Sequence, residues 1–154
     1  MKPFALAAVL CVLTAPSVLA LRPVPFHAAI DTTFAIPPAC GPTCAFTISG
    51  VGQATHMGRV SIDGPSLIDF ATGVQTGTST LTAADGSELE IEFHGSFSPT
   101  SPTEVTFSGS WTVISGTGRF ADSDGGGTYH GAASLATNTG ELLLDGSVSD
   151  TGRN

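Results

Sequence analysis

The chain has 154 residues, of which 41% are hydrophobic and only 12% are charged, and its formal net charge is −8. Nucleic-acid binding needs clustered cations for phosphate contacts, and five Lys and Arg against thirteen Asp and Glu argue against it. The same shortage of cations argues against adhesion to anionic lipid.

The first twenty residues have the features of a secretory signal peptide. Lys2 gives a short basic start, Phe4–Ala15 is apolar, and Val18-Leu19-Ala20 ends in a small residue at the right spacing. We therefore expect cleavage after Ala20 and a secreted or periplasmic mature protein. Because no later apolar run is long enough to span a bilayer, we expect no membrane insertion.

Two cysteines remain after the predicted cleavage, Cys40 and Cys44, in a segment rich in proline. An oxidising compartment favours a local disulfide between them. The alternative, a redox-active pair, requires two intervening residues and the start of a helix, whereas three residues separate these cysteines. The sequence therefore predicts a structural disulfide.

The rest of the chain is predicted to consist of strands and turns. A first strand carries apolar residues from Phe26 to Ile36, and a second begins at Phe46 and continues, after glycines, to Ile62. Asp63-Gly64-Pro65 is a turn signal. The later predicted strands are 67–72, 76–82, 88–97, 104–113, 129–135 and 142–148.

Glycines interrupt the apolar face of several predicted strands. The fifth strand alternates as Leu89, Ile91, Phe93, Gly95, Phe97 and the sixth as Val105, Phe107, Gly109, Trp111, Val113. Gly131 and Gly146 fall in the same phase of their strands. An inward glycine permits the sharp bend of a curled sheet, or makes room for a ligand. We predict an all-β fold, a single antiparallel, about eight-stranded, closed or nearly closed β-barrel over residues 21–150, followed by a polar tail at 151–154.

A glycine-rich connection, 115–127, precedes the seventh strand. Two glycines within Gly116–Phe120 permit a tight reversal, and we expect Phe120 to fold back as a plug over one barrel end. We expect Arg119 to pair with Asp122 or Asp124 on the surface.

Two segments, 52–59 and 115–122, resemble parts of small secreted bacterial barrel proteins. The second, with its Gly116-Thr117-Gly118-Arg119-Phe120 core, also resembles a segment of plant dirigent proteins, which are similar in fold to allene oxide cyclase. The resemblance implies an eight-stranded barrel with an interior cavity. It places no catalytic residue in this sequence, because no cavity motif of those families can be matched here.

Other motifs fail on their context. Gly116-x-Gly118 imitates a dinucleotide fingerprint, but no helix can start in the polar, glycine-rich residues that follow it, and we predict no cofactor. Asp122-Ser123-Asp124-Gly125 resembles a calcium loop, but its twelfth position is Ala133 rather than glutamate, so a polar turn is favoured over a loose cation site. Glu88, Glu90 and Glu92 share one outward face, where we expect them to prevent edge-to-edge aggregation.

The candidate ligand-binding residues are those predicted to point inward. By alternation His56 and Tyr129 face the interior, where they would hydrogen-bond a ligand or act as an acid–base pair. The alternative, favoured for His56, is a buried histidine satisfied by a neighbouring group. His27, His94 and His130 are predicted to be exposed, and would bind metal only if adjacent strands aligned them. The aromatic candidates for the cavity wall are Phe93, Phe107 and Trp111.

Three functions are consistent with these features. The first is a non-catalytic barrel that binds a small apolar ligand or a protein partner. The second is an isomerase or cyclase of the allene oxide cyclase or dirigent type, acting on a hydrophobic substrate in the cavity. The third is a structural or inhibitory protein with a filled core, whose surface loops carry its function.

Overall fold

A computed structural model describes residues 22–38 and 40–149, and these form a closed antiparallel barrel of eight strands. Each strand pairs with the next, and the last pairs with the first. This confirms the predicted fold; the predicted signal peptide, 1–20, and the polar tail, 151–154, lie outside the described residues. The strands are β1 (Pro23–Ala35), β2 (Thr43–Ala54), β3 (Gly58–Asp69), β4 (Val74–Ala83), β5 (Glu88–Pro99), β6 (Glu104–Gly116), β7 (Gly125–Ser134) and β8 (Thr139–Ser149).

The alternation predicted for β5 and β6 is confirmed. Leu89, Ile91 and Trp111 are buried in the core, while Glu92 and His94 are exposed on the outer face. Because β5 pairs with β4 on one side and with β6 on the other, it is not an edge strand. The edge-protecting role predicted for Glu88, Glu90 and Glu92 is therefore wrong.

The boundary between the second and third strands differs from the prediction. Asp63-Gly64-Pro65 is not a turn but lies inside β3, where Asp63 pairs with Ser49 and Pro65 with Thr47 of β2. The pairing of β3 with β4 is interrupted between Asp63 and Ser66. No residue of β4 therefore needs a hydrogen bond from the N–H that Pro65 lacks. The actual turn, residues 55–57, joins β2 to β3.

One end of the barrel is closed by packed side chains. The connection between β6 and β7 forms a single turn of 3₁₀ helix, Gly118–Phe120, in which Gly118 has a φ of 59°. This turn places Phe120 fully inside the core, as predicted. In the same core the rings of Phe26 and Trp111 meet edge to face, with centroids 5.5 Å apart.

The sequence predicted that Arg119 would pair with Asp122 or Asp124, and this prediction is wrong. Its Nε atom lies 3.4 Å from Oδ2 of Asp85, in the turn between β4 and β5, and its guanidinium stacks over the Phe120 ring at 5.0 Å. The turn between β4 and β5 reaches the same barrel end as the 3₁₀ turn, so Asp85 is the nearer acid.

The opposite end of the barrel carries the segment between β1 and β2. Cys40 and Cys44 lie at disulfide distance there, with Cα atoms 5.0 Å apart, as predicted. Cys44 is buried, so the pair ties this connection to the barrel wall. Among the described residues, no helix has the length and apolarity needed to cross a membrane.

Candidate functional site

A cavity of about 200 Å³ lies inside the barrel, between the packed core and the end that carries Cys40 and Cys44. Its mouth is aromatic: the rings of Phe34 and Phe46 meet edge to face at 6.1 Å, and those of Phe70 and Phe97 at 5.6 Å. Phe70 is 50% exposed, so apolar surface reaches solvent at this mouth. Ligand pockets commonly combine apolar walls with a few placed polar groups.

Two of the polar side chains that line this cavity are Gln75 from β4 and Tyr129 from β7. Gln75 pairs with Gly95, Gly95 pairs with Gly109, and Gly109 pairs with Tyr129, so the four positions form one row across four strands. A Cβ atom at Gly95 would collide with the Tyr129 hydroxyl, and one at Gly109 would lie 2.7 Å from Cε1 of its ring. The two glycines therefore let the ring lie flat across β6 and β5, with its hydroxyl towards Gln75.

Both side chains are more than nine-tenths buried, and each has a polar atom without a hydrogen-bond partner among the described residues. Nε2 of Gln75 donates to Oγ of Ser66 at 3.2 Å, whereas Oε1 of Gln75 has no donor. Oη of Tyr129 is also unpartnered, and the ring packs against Phe93 and Phe107, with centroids 5.8 and 6.3 Å away. Buried polar atoms of this kind are rare in proteins and require an explanation.

Burial raises the pKa of the Tyr129 hydroxyl to about 12, because the phenolate would lose its hydration. Within the part of the chain that the structure describes, none of the side chains that line the cavity carries a charge at neutral pH. The interior of the barrel is therefore a neutral environment that disfavours ionised groups.

The stability of the protein should fall between pH 10 and pH 12. An unfolded chain would release the Tyr129 proton near pH 10, whereas the folded protein retains it to about pH 12, so rising pH favours the unfolded state across this interval. We expect a loss on the order of 2 kcal/mol in the free energy of unfolding. Tyr129 is the only tyrosine, so phenolate absorbance reports its titration directly. The variant Tyr129→Phe is the control: an equal loss in this variant would contradict the assignment.

The aromatic candidates from the sequence take two different places. Phe93, Phe107 and Tyr129 line the cavity, whereas Trp111 points inward but lies in the packed core outside the cavity lining. Nε1 of Trp111 donates to the carbonyl oxygen of Thr128 at 3.1 Å, so its polar atom is already satisfied within the barrel.

The predicted inward position of His56 is wrong. His56 is exposed in the turn between β2 and β3, with a φ of 64°, and its Nε2 lies 3.0 Å from the carbonyl oxygen of Pro25. The alternation breaks because residues 55–57 form the turn, and Met57 instead enters the core. This turn is at the closed end of the barrel, so His56 and Tyr129 do not form an acid–base pair.

The remaining histidines are exposed, as predicted, and lie on three different strands. His27 on β1 has its Nδ1 2.7 Å from Oδ1 of Asp145, while His94 lies on β5 and His130 on β7. Within residues 22–38 and 40–149, no group of three His, Cys, Asp or Glu side chains is arranged to hold a metal ion.

Sequence reasoning missed Gln75 and its partner Ser66. The fourth strand was predicted to begin at Thr76, whereas β4 begins at Val74 and places Gln75 in the inward phase with Ser79 and Leu81. Extending the alternation backwards from Leu81 by steps of two would have reached Gln75.

Comparison with known proteins found no matching family model, no matching curated protein and no matching solved structure.

Proposed function

We propose that this protein binds a small, mostly apolar molecule inside the barrel, and that the molecule enters through the aromatic mouth. The observation that carries the proposal is the cavity itself, with apolar walls and with the unpartnered Oη of Tyr129 and Oε1 of Gln75 on buried side chains of its lining. Its volume of about 200 Å³ is below the range of roughly 300–1,000 Å³ that is usual for drug-sized ligands. The ligand is therefore small, or only part of it enters the barrel.

The composition of the cavity wall favours binding over catalysis. An isomerase or cyclase that uses acid–base chemistry needs a group whose pKa lies near the working pH. With Cys44 in a disulfide, Tyr129 is the one titratable side chain among the described residues of the lining, and burial raises its pKa to about 12. We therefore place this protein with binding barrels, and the allene oxide cyclase or dirigent activity implied by the resemblance stays the rival hypothesis.

The predicted signal peptide and the Cys40–Cys44 pair support action outside the cytoplasm. A barrel that holds an apolar molecule would carry or sequester it in an aqueous compartment, where the molecule itself is poorly soluble.

The proposal is tested by titrating the purified protein with toluene and following backbone amide chemical shifts by NMR. A dry apolar cavity of about 150 Å³ is known to accept benzene-sized molecules. We expect saturable shifts at the strand positions that line the cavity. Ala133→Leu, which adds bulk to the lining, should weaken binding at least tenfold, whereas Ala45→Leu on the exposed face of β2 should not. Absence of saturable shifts in the unmodified protein would contradict the proposal.

A further inference from the structure

We propose that the ligand carries one neutral hydroxyl group, which accepts a hydrogen bond from Oη of Tyr129 and donates one to Oε1 of Gln75. This inference rests on the proposed function and specifies the chemical class of its ligand, an alcohol with a hydrocarbon body.

The row Gln75–Gly95–Gly109–Tyr129 brings the two polar groups together. Adjacent strands lie about 4.8 Å apart, and the Tyr129 ring crosses both glycines, so that its hydroxyl reaches the position of Gly95 on the strand next to Gln75. The hydroxyl therefore lies over the strand next to that of Gln75, where one ligand group can reach both polar atoms. Any side chain larger than hydrogen at Gly95 would block this approach.

The hydrogen-bonding capacities of the two groups define their common partner. One N–H of Gln75 Nε2 donates to Oγ of Ser66, the acceptor Oε1 has no donor among the described residues, and Oη of Tyr129 can donate. A single group that satisfies both must accept one hydrogen bond and donate another. Because a buried polar atom without a hydrogen-bond partner is costly, a ligand that pairs both atoms should bind more tightly than one that pairs neither.

Other head groups fit this region less well. A carboxylate or an ammonium ion would be buried without a countercharge, because no lining side chain among residues 22–38 and 40–149 is charged. A ketone or an ether accepts from Tyr129 but leaves Oε1 of Gln75 unpaired. A hydroxyl group meets both requirements without charge, and the apolar wall between Phe93, Phe107 and the mouth accommodates the hydrocarbon body.

The test compares two isomers, 1-hexanol and 1-methoxypentane, which have the same atoms but differ in whether the oxygen can donate. We expect 1-hexanol to bind about tenfold more tightly in the NMR titration, and hexanoate at pH 7 to bind at least tenfold more weakly than 1-hexanol. These comparisons use the unmodified protein, so they do not depend on the folding of any variant.

Two variants then assign the two hydrogen bonds. Gln75→Met should remove the preference for the alcohol over the ether, because the acceptor for the donated hydrogen is lost. Tyr129→Phe should weaken both ligands about tenfold, because each accepts from Oη. Thr47→Val, which removes a hydroxyl on the exposed face of β2 outside the cavity lining, is the matched control and should change neither affinity.

The outcomes separate this inference from the function on which it rests. Equal binding of the two isomers, or tighter binding of hexanoate, would overturn the alcohol assignment and leave a ligand-binding barrel. Failure of 1-hexanol, 1-methoxypentane and toluene to bind would overturn both. A tenfold preference for 1-hexanol that Gln75→Met abolishes and Thr47→Val preserves would establish the alcohol assignment.

Discussion

Phe120→Ala should lower the free energy of unfolding by about 3–5 kcal/mol, the range observed when a fully buried phenylalanine is truncated. Phe120 is 0% exposed and belongs to the same core as Trp111 and Phe26. Its backbone is fixed by the 3₁₀ turn, in which its N–H donates to the carbonyl oxygen of Thr117 at 3.1 Å. The surrounding strands are tied by ladders on both sides and cannot collapse far into the space left by the ring.

The matched control for this variant is Phe70→Ala, which deletes the same ring at the opposite end of the barrel. Phe70 is 50% exposed and its ring contacts Phe97 at 5.6 Å, so we expect a loss of about 1 kcal/mol or less. Urea denaturation of the three proteins, followed by the fluorescence of Trp111, measures the difference. Similar losses in the two variants would show that Phe120 does not close the barrel end.

Long alternating segments were predicted correctly because each residue's environment is set by its own strand. Leu89 and Trp111 could be placed in the core from a period of two, without knowledge of their neighbours. The plug position of Phe120 was also predicted, since Gly118 permits the positive φ that the reversal requires. These features depend on residues close together in the sequence, so local sequence patterns predict them.

The errors arose where the position of a residue depends on its pairing with a second strand. Asp63-Gly64-Pro65 has the composition of a turn, but pairing of Asp63 and Pro65 with β2 keeps it extended. The turn at 55–57 contains His56 in a left-handed conformation, which the local sequence does not predict. The prediction placed the turn at 63–65 instead of 55–57, and for that reason it put His56 in the interior rather than on the surface.

The pairing of Gln75 with Tyr129 in the cavity could not be predicted from the pattern of any single strand. Tyr129 was placed inward correctly, but its significance comes from Gln75 three strands away, and only the register of β4 to β7 brings them into one row. The inward glycines were interpreted as either curvature or ligand space. At Gly95 and Gly109 the strands approach closely, and the space above the two glycines is filled by the Tyr129 ring rather than left for a ligand.

Gly109→Ala tests this close packing of strands and ring, and it should destabilise the protein by about 3 kcal/mol. A Cβ atom at this position would collide with the carbonyl oxygen of His94 and would lie 2.7 Å from Cε1 of Tyr129. Overpacking usually costs about 1–3 kcal/mol, and we expect the upper end because a backbone group, unlike a side chain, cannot rotate away. Thermal or urea denaturation measures the loss.

Gly41→Ala is the matched control, since a Cβ atom there would meet nothing within 4 Å and the residue lies outside the barrel wall. We expect it to be neutral or stabilising by a few tenths of a kcal/mol, because alanine restricts the unfolded chain. If Gly109→Ala were as stable as Gly41→Ala, the close approach of β5 and β6 would be wrong. The position of the Tyr129 ring against Gly95 and Gly109 would then be wrong as well.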